Sequence, residues 1–224
     1  MSNQTIVLTY LAGRLRGVAS GLRERRKLKT RAAISAVAME LFEANGFERV
    51  TISQIADTAE VSKMTVTNYF PRKEDLVFDR AEESIRSLAD AVAARAPGES
   101  LLAAIRRDYA QRIAAGDVTL GPPTVALAQM IRDSPTLTSR LREITDQLER
   151  ALGDAIAAET GVDDVQQRIV AAQLAAVHRV LFTDSAHRIL ASQADTEIRA
   201  TLTESAMRAF DLLEPSLSDY CPKA

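Results

Sequence analysis

Apolar and polar positions repeat with the period of α-helices over most of this chain. In residues 30–46, "TRAAISAVAMELFEANG", the apolar side chains recur three or four residues apart, which predicts one amphipathic helix. Its apolar stripe consists of Ile34, Val37, Ala38, Leu41 and Phe42. Gly46 stands where a left-handed residue would end the helix. No segment shows the strict alternation of a half-buried strand, so the pattern predicts an all-α protein.

Two short helices are predicted directly after this amphipathic helix. Thr51 and Gln54 have the spacing of a capping box, so a helix should begin at Ile52 and run for about two turns. Ser62 is a natural N-cap for a second short helix, which Pro71 should end. Two short helices that are joined by a tight turn and supported by a longer helix form a helix-turn-helix.

The second short helix has one apolar and one largely polar face. Val66 and Phe70 lie one turn apart and are expected to face inward together with Val61. The residues left on the outside are Lys63, Met64, Thr65, Thr67, Asn68 and Tyr69. Ser, Thr, Asn and Tyr side chains can bind phosphate oxygens, and Asn and Thr can also bind base edges in the major groove. This helix is therefore expected to contact double-stranded DNA.

Charge is distributed unevenly along the chain. The first 80 residues contain thirteen Lys or Arg and nine Asp or Glu, whereas the remainder contains fifteen and twenty-one. Eight basic residues cluster near the start of the first helix and face one acid, Glu24: Arg14, Arg16, Arg23, Arg25, Arg26, Lys27, Lys29 and Arg31. Such a cluster favours attraction to phosphates, although a solvated charged surface explains the cluster equally well.

The rest of the chain is predicted to be helical. Residues 73–95 predict a long helix that links the DNA-binding part to the body, and residues 96–100 should break it. Further helices are predicted over residues 101–115, 124–132, 135–160, 163–191 and 195–213, and Pro215 should stop the last one. The helix over 163–191 has two apolar stripes, and the second consists of Ile169, Ala172, Ala176 and Val180. The pattern leaves open whether the protein's own body or a second copy buries the apolar faces of the last two helices.

Residues 23–80 resemble the DNA-binding domain of the TetR (tetracycline-repressor-like) family of bacterial transcriptional regulators. The resemblance is carried by "TRAAISAVAMELFEANGFERVTISQIADTAEVSKMTVTNYFPRKEDLV". It implies an N-terminal three-helix helix-turn-helix domain and a C-terminal helical body for ligand binding and dimerisation, about nine helices in all. The implied division is residues 23–80 and residues 81–224. Residues 1–22 would be an N-terminal extension, either a flexible basic arm or the product of a wrongly assigned start codon.

The resemblance also implies which residues meet DNA and how the protein assembles. Homodimerisation would use the last two helices. The implied recognition-helix contacts are Lys63, Met64, Thr65, Thr67, Asn68 and Tyr69, with Lys73 at a phosphate and Thr51 and Ser53 near the DNA backbone. The chain departs from the common pattern at Glu60, where many members have Gly, at Met64, where a small residue is usual, and at Thr67, where Tyr is usual. These departures leave the operator sequence unpredicted.

A small-molecule effector is expected inside the body, because ligand sites in helical proteins form between helices. The candidate lining residues are Tyr109, Leu127, Met130, Ile131, Leu148, His178 and Phe182. They suggest a mostly apolar effector with one or two polar groups. Each of these side chains would fit an ordinary core equally well.

The expected function is that of a ligand-responsive transcriptional regulator, a repressor that a small molecule releases from its operator. Two alternatives remain, a helical adaptor with an architectural helix-turn-helix and a transcriptional activator. The sequence contains no nucleophile elbow or phosphate loop, and His178 and His187 are too far apart on one helix to bind one metal ion. No enzyme activity, cofactor or metal is therefore expected. One cysteine, Cys221, and the absence of a membrane-length apolar stretch favour a cytoplasmic protein.

Overall fold

The computed structural model describes residues 25–122, 124–161, 164–218 and 220–221. These residues form nine α-helices and no β-strand, which confirms the predicted all-α fold. Helix α1 is described over residues 25–45. The others are α2 (Ile52–Thr58), α3 (Lys63–Tyr69), α4 (Ala81–Ala93), α5 (Leu101–Ala115), α6 (Val125–Asp133), α7 (Pro135–Thr160), α8 (Val165–Leu190) and α9 (Asp195–Leu217). The chain divides into two compact units between Val77 and Phe78.

The N-terminal unit packs α1, α2 and α3 around a small apolar core. Its fully or almost fully buried side chains include Ile34, Ala38, Phe42, Phe47, Val50, Ile55, Ala56, Val66, Phe70 and Leu76. The rings of Phe42 and Phe47 lie 5.0 Å apart, centroid to centroid, and are tilted by 60°. Burying each of the larger side chains contributes about 1.5–3 kcal/mol, so this core holds the two short helices in place.

The segment after the helix-turn-helix differs from its prediction. Instead of one helix over residues 73–95, the structure has a 3₁₀ turn, Lys73–Leu76, four residues outside any helix, and then α4. Leu76 and Val77 are both buried within the N-terminal unit, and the Asp75 carboxylate accepts a hydrogen bond from the Arg72 backbone N–H at 3.1 Å. The apolar spacing continues across the interruption, which is why periodicity alone predicts an unbroken helix.

The C-terminal unit is a bundle of six helices. In it, α4 packs on α7, α7 on α8, and both α5 and α8 on α9, while α6 contacts α7 and α8. Its core contains Leu88, Val92, Leu101, Leu102, Ile105, Tyr109, Leu148, Leu152, Ile156, Leu174, Ala206 and Phe210. The Tyr109 ring contacts Phe210 edge-on, with 5.3 Å between the centroids. The bundle therefore has one continuous apolar core made by residues of α4, α5, α7, α8 and α9.

Helix α9 runs further than predicted. The sequence pattern predicts an end near residue 213 because of Pro215, whereas in the structure the helix continues through Pro215 to Leu217. Proline removes its own N–H from the hydrogen-bond ladder and crowds the carbonyl one turn before it, but the ladder resumes with Ser218 N–H donating to the Glu214 carbonyl at 2.9 Å. Leu217 is buried in the core of the bundle, and its burial stabilises the last turn.

Helix α8 is apolar on two sides, and one of them is uncovered in the single chain. Its inner side, with Val170, Leu174 and Leu181, is buried in the bundle. Of the predicted second stripe, Ile169 is 52% and Val180 is 54% exposed. The predicted apolar face of α9 behaves differently, because most of its side chains are buried within the same chain: Ile198, Leu202, Ala206 and Phe210. Of these two predicted apolar faces, the second stripe of α8 is thus the one that the described residues leave largely uncovered.

Arg95 connects three separate parts of the C-terminal unit. Its side chain is fully buried at the end of α4 and forms an ion pair with Glu159 near the end of α7. The guanidinium also donates to the backbone carbonyls of Val92, at 3.1 Å, and of Cys221 in the C-terminal tail. A guanidinium cannot lose its proton, so this buried charge depends on these acceptors.

Candidate DNA-binding surface and effector cavities

Local capping residues determine where both short helices of the helix-turn-helix begin. The Thr51 hydroxyl accepts from the Gln54 N–H at 3.3 Å, and the Gln54 side chain accepts from the Thr51 N–H at 2.8 Å. This is the predicted capping box, and it is confirmed. At the start of α3 the Ser62 hydroxyl accepts from the Thr65 N–H at 3.0 Å, which confirms the predicted N-cap. The two caps satisfy N–H groups that helix starts otherwise leave unpaired.

The inner face of α3 holds it against the N-terminal unit. Val66 and Phe70 are fully buried, as the spacing predicts, whereas Val61 is half-buried. Arg31 of α1 donates to the Tyr69 carbonyl at 2.8 Å and stacks over the Phe70 ring at 4.3 Å. Arg31 therefore positions the C-terminal end of α3 and is not simply part of a basic surface.

The outward face of α3 contains two polar side chains with unused hydrogen-bonding groups. Lys63 and Asn68 are exposed, and within the described part of the chain their side chains make no hydrogen bond. The hydroxyls of the neighbouring threonines are engaged inside the helix. Thr65 pairs with the Ser62 hydroxyl at 2.8 Å, and Thr67 donates to the Met64 carbonyl at 3.1 Å. The amide of Asn68 and the ammonium of Lys63 are thus the groups best placed to bind a base edge or a phosphate.

Lys73, the predicted phosphate contact, also has partners within its own unit. Its ammonium donates to the carbonyls of Phe47 at 2.9 Å and Val50 at 3.2 Å, with Glu48 at 3.4 Å, and it lies 4.2 Å from the centre of the Phe47 ring. The three N–H groups of an ammonium are accounted for by these three carbonyls. Lys73 therefore holds the 3₁₀ turn Phe47–Arg49, which precedes α2.

The remaining predicted DNA contacts lie close to α3 in the chain. Ser53 and Thr51 are exposed at the start of α2, and Tyr69 is partly exposed at the end of α3. Of the eight clustered basic residues, four are exposed on α1: Arg25, Arg26, Lys27 and Lys29. Arg14, Arg16 and Arg23 lie outside the described residues.

Glu60, in the turn between α2 and α3, adopts a backbone conformation that disfavours residues with a side chain. Its φ angle is +54°, in the left-handed region, where a Cβ costs about 1–2 kcal/mol. We expect Glu60→Gly to raise the free energy of unfolding by up to about 1 kcal/mol, because relief of strain exceeds the added entropy of the unfolded chain. Thermal unfolding followed by circular dichroism measures the change. Glu60→Ala keeps the strained Cβ and is expected to bring no such gain.

Two cavities in the C-terminal unit bear on effector binding. Of the predicted lining residues, Leu148, His178 and Phe182 surround a cavity of about 40 Å³, which has room for a few water molecules at most. A cavity of about 470 Å³ lies elsewhere, and its size is that of a small-molecule site. It is lined by the ends of α5, α6, α8 and α9, with residues that include Ile113, Asp117, Leu120, Val125, Ser185, Ile189, Ile198, Arg199 and Leu202.

None of the seven predicted effector residues lines the larger cavity. Leu127, Met130 and Ile131 lie on α6 and line neither of these cavities. The turn before α6 comes close to α8, since a Cβ added at Gly121 would lie 2.2 Å from the Ser185 hydroxyl oxygen. The turn-rich segment from Gly116 to Pro122 is the one sequence signal that could have pointed to this cavity.

Tyr109 and His178 form a buried polar pair next to the smaller cavity. The Tyr109 hydroxyl and the His178 Nδ1 are 2.6 Å apart and share one hydrogen bond. Burial, with a smaller contribution from the positive charge of Arg112, lowers the pKa of His178 to about 4. Burial likewise raises the pKa of the Tyr109 hydroxyl above its usual range. Both side chains are therefore neutral near pH 7, so the imidazole has one N–H and one acceptor nitrogen, and its tautomer decides which partner donates this bond.

The buried neutral histidine should make the protein sensitive to acid. Unfolding returns the pKa of His178 from about 4 to about 6.5, so the unfolded chain binds the additional proton between these values. The contribution of His178 to stability is complete above pH 6.5 and falls by about 3 kcal/mol as the pH drops towards 4. We expect His178→Gln to weaken the pH dependence of urea unfolding in this window. His187→Gln, at an exposed position of the same helix, should retain the pH dependence of the wild type.

The geometry of the N-terminal unit defines a DNA-binding protein of the helix-turn-helix class. A family model described as bacterial regulatory proteins, tetR family, matches residues 34–79. The transcriptional regulator TcmR of Streptomyces glaucescens is 30% identical over 205 residues, which cover 88% of each chain. The chain therefore belongs to the TetR family of bacterial regulatory proteins and is a DNA-binding transcriptional regulator.

Solved structures of low sequence identity share the fold. SmeT, solved in a complex with triclosan, has a TM-score of 0.54 at 16% identity and covers 88% of this chain and 96% of its own. NalD of Pseudomonas aeruginosa has a TM-score of 0.51 at 19% identity and covers 81% of this chain and 96% of its own. Members of the family are transcription factors, not enzymes, and bind operator DNA and small-molecule effectors. No helix among the described residues combines the length and apolar character that crossing a bilayer requires.

Proposed function

We propose that this regulator is a homodimeric repressor that acts in the cytoplasm and leaves its operator when a small molecule binds. The observation that carries the DNA-binding part is the outward face of α3, where Lys63 and Asn68 are exposed without partners in the described residues. A short capped helix with one buried face and one largely polar face is suited to bind a polar partner. Double-stranded DNA offers acceptors to Lys63 and both donors and acceptors to Asn68.

In this proposal different residues of α2 and α3 contact the base edges and the phosphates. Lys63, Met64 and Asn68 face the base edges, while Thr51, Ser53 and Tyr69 approach the phosphates. Thr67 contributes oxygen lone pairs and a methyl group, because its hydroxyl hydrogen is used inside the helix, and the Thr65 hydroxyl is paired with that of Ser62. Lys73, held by carbonyls of its own unit, adds positive charge near the DNA rather than a direct hydrogen bond.

The dimer is proposed to form through α8 and α9. The uncovered stripe of α8 and the 82% exposed Leu212 of α9 are apolar surfaces that the chain itself does not bury. Small residues between Ile169 and Val180, namely Ala172 and Ala176, would let a second helix approach closely. A twofold dimer would present two α3 helices to successive major grooves, about 34–36 Å apart, so the operator should contain two inverted half-sites.

The effector is proposed to be a small, mostly apolar molecule. The larger cavity has a sufficient volume, about 470 Å³, and its lining combines apolar side chains such as Ile113, Ile189 and Ile198 with polar and charged ones. The smaller cavity beside Leu148, His178 and Phe182 would need to expand before it could hold such a molecule. Triclosan, found in the SmeT complex, and the role of NalD as the secondary repressor of a multidrug efflux pump are consistent with an apolar effector here.

A two-step experiment tests the repressor proposal. Duplexes that bind the purified chain are first selected from a randomised library, and a compound panel is screened by thermal shift. Any compound that releases the operator must bind the DNA-free protein more tightly, and linkage requires that operator DNA weaken compound binding by the same factor. We expect a reciprocal effect of about 5- to 150-fold. Val125→Trp, which should fill part of the larger cavity, is expected to remove compound binding while leaving operator binding intact.

Other results would support the alternatives. If no duplex is enriched over the library, the chain is an adaptor with an architectural helix-turn-helix. If the compound and the operator strengthen each other's binding, the compound does not release the chain from its operator, and the proposed mode of regulation is wrong. If Phe182→Ala, rather than Val125→Trp, abolishes compound binding, the effector occupies the smaller cavity after expansion.

A further inference from the structure

Met64 is an apolar side chain exposed at the centre of the recognition surface. It is 68% exposed on α3, where Val66 and Phe70 already supply the contacts that hold the helix in place. Asn68 follows four residues later, so the two side chains lie one turn apart on the outward face. Met64 fills no position in the core of the N-terminal unit as the structure describes it. A role for this side chain is therefore expected in binding a partner.

The side chain that lies against the Met64 thioether has no free hydrogen-bond donor. The Thr67 hydroxyl donates to the Met64 carbonyl at 3.1 Å and lies 3.9 Å from the Met64 sulfur, so the thioether rests beside Thr67. The Thr65 hydroxyl is paired with Ser62. An apolar area made by Met64 and the flanking threonine is thus bordered by two groups with unused donors, Lys63 on one side and Asn68 on the other.

Base edges in the major groove differ in whether they offer an apolar group. Thymine presents a C5 methyl group, whereas guanine, adenine and cytosine present hydrogen-bond donors and acceptors. A donor or acceptor that faced Met64 would lose its water without gaining a partner, which is costly. A methyl group that faced Met64 would lose water at no such cost and would gain the usual benefit of apolar burial.

We propose that Met64 reads the methyl group of a thymine in each operator half-site, adjacent to the base that Asn68 binds. This inference rests on the proposed operator binding through α3, and it adds the base that this position selects. Removal of one methyl group should lower affinity about fourfold per half-site, and about fifteenfold when both half-sites are changed.

The test combines removal of one methyl group from the DNA with truncation of Met64. The full chain is bound to the selected operator duplex and to duplexes in which single thymines are replaced by uracil, which removes the methyl and leaves base pairing intact. We expect one position per half-site at which uracil weakens wild-type binding about fourfold but leaves the binding of Met64→Ala unchanged. Leu28→Ala, which truncates another exposed apolar side chain of the N-terminal unit, should show the uracil effect in full.

The possible outcomes separate this inference from the proposal beneath it. If every thymine-to-uracil change acts equally on wild type and Met64→Ala, Met64 does not read a methyl group and the inference is overturned, although operator binding stands. The inference is also overturned if the selected half-site accepts any base next to the one that Asn68 binds. If no duplex is enriched at all, operator binding itself fails, and the inference fails with it. Circular dichroism of Met64→Ala establishes that its helices are intact.

Discussion

Replacing Ile169 and Val180 together with glutamate should convert the protein into a monomer and lower its operator affinity by at least about 100-fold. Both side chains are about half exposed on the uncovered stripe of α8, so the substitutions should leave the core of the single chain intact. In a dimer, however, they would place four carboxylates in an apolar interface without partners, which is strongly unfavourable. The loss of affinity follows because the second half-site is then no longer held at high effective concentration.

Light scattering after size exclusion gives the mass, and titration of the selected operator gives the affinity. Ala110→Glu, at an exposed position of α5, introduces the same side chain away from the stripe and should leave the mass and the affinity unchanged. A double variant that remains dimeric and binds its operator normally would show that the copies associate through another surface.

Removing the carboxylate partner of Arg95 should destabilise the C-terminal unit by about 3–5 kcal/mol. In Glu159→Ala the fully buried guanidinium loses its carboxylate and keeps backbone carbonyls and the weakly accepting Cys221 sulfur, and it cannot discharge itself by losing a proton. Arg95→Met should cost less, because Glu159 is partly exposed and can turn towards water. The free energies of unfolding come from urea titrations of each variant.

The double variant Arg95→Met/Glu159→Ala makes this prediction specific. If the cost arises from an uncompensated buried charge, the double variant should be more stable than Glu159→Ala alone, although it lacks more of the native contacts. Additive losses in the two single variants would instead show that the pair acts through packing.

Much of the N-terminal unit could be predicted because its signals are local. Thr51 with Gln54 and Ser62 with Thr65 are caps whose hydrogen bonds span three residues, so their spacing in the sequence is also their spacing in the structure. The inward orientation of Val66 and Phe70 follows in the same way from helical geometry. The positive φ of Glu60 is a property of the turn, and the sequence pointed to it only through the family's preference for Gly at that position.

The break before α4 and the effector cavity could not be predicted from the same signals. The interruption after Leu76 depends on which unit buries Leu76 and Val77, and apolar spacing does not contain that information. The larger cavity is bordered by the end of α5 and the start of α6 and, far from them in the sequence, by the end of α8 and the start of α9, so no single periodic segment points to it. Predictions centred on apolar and aromatic residues identified instead the buried pair of Tyr109 and His178.

Sequence patterns do not show whether a basic side chain is free to bind phosphate or is already bound within the protein. Arg31 and Lys73 fit a phosphate-binding surface by charge and position. In the structure Arg31 donates to the Tyr69 carbonyl, and Lys73 donates to the carbonyls before α2. Counting positive charge therefore overestimates the number of groups available for direct phosphate contacts, whereas it remains a fair guide to the attraction of DNA at long range.

Sequence recognition by the outward face of α3 is tested most directly by the specificity ratio of Asn68→Ala. The ratio compares affinity for the selected operator with affinity for a scrambled duplex at about 150 mM salt. We expect about 1,000-fold or more for the wild type. For Asn68→Ala we expect a ratio at least tenfold lower. Asn45→Ala, which removes the same amide from an exposed position of α1, should keep the wild-type ratio. An unchanged ratio for Asn68→Ala, in a folded dimeric protein, would contradict sequence recognition by this face.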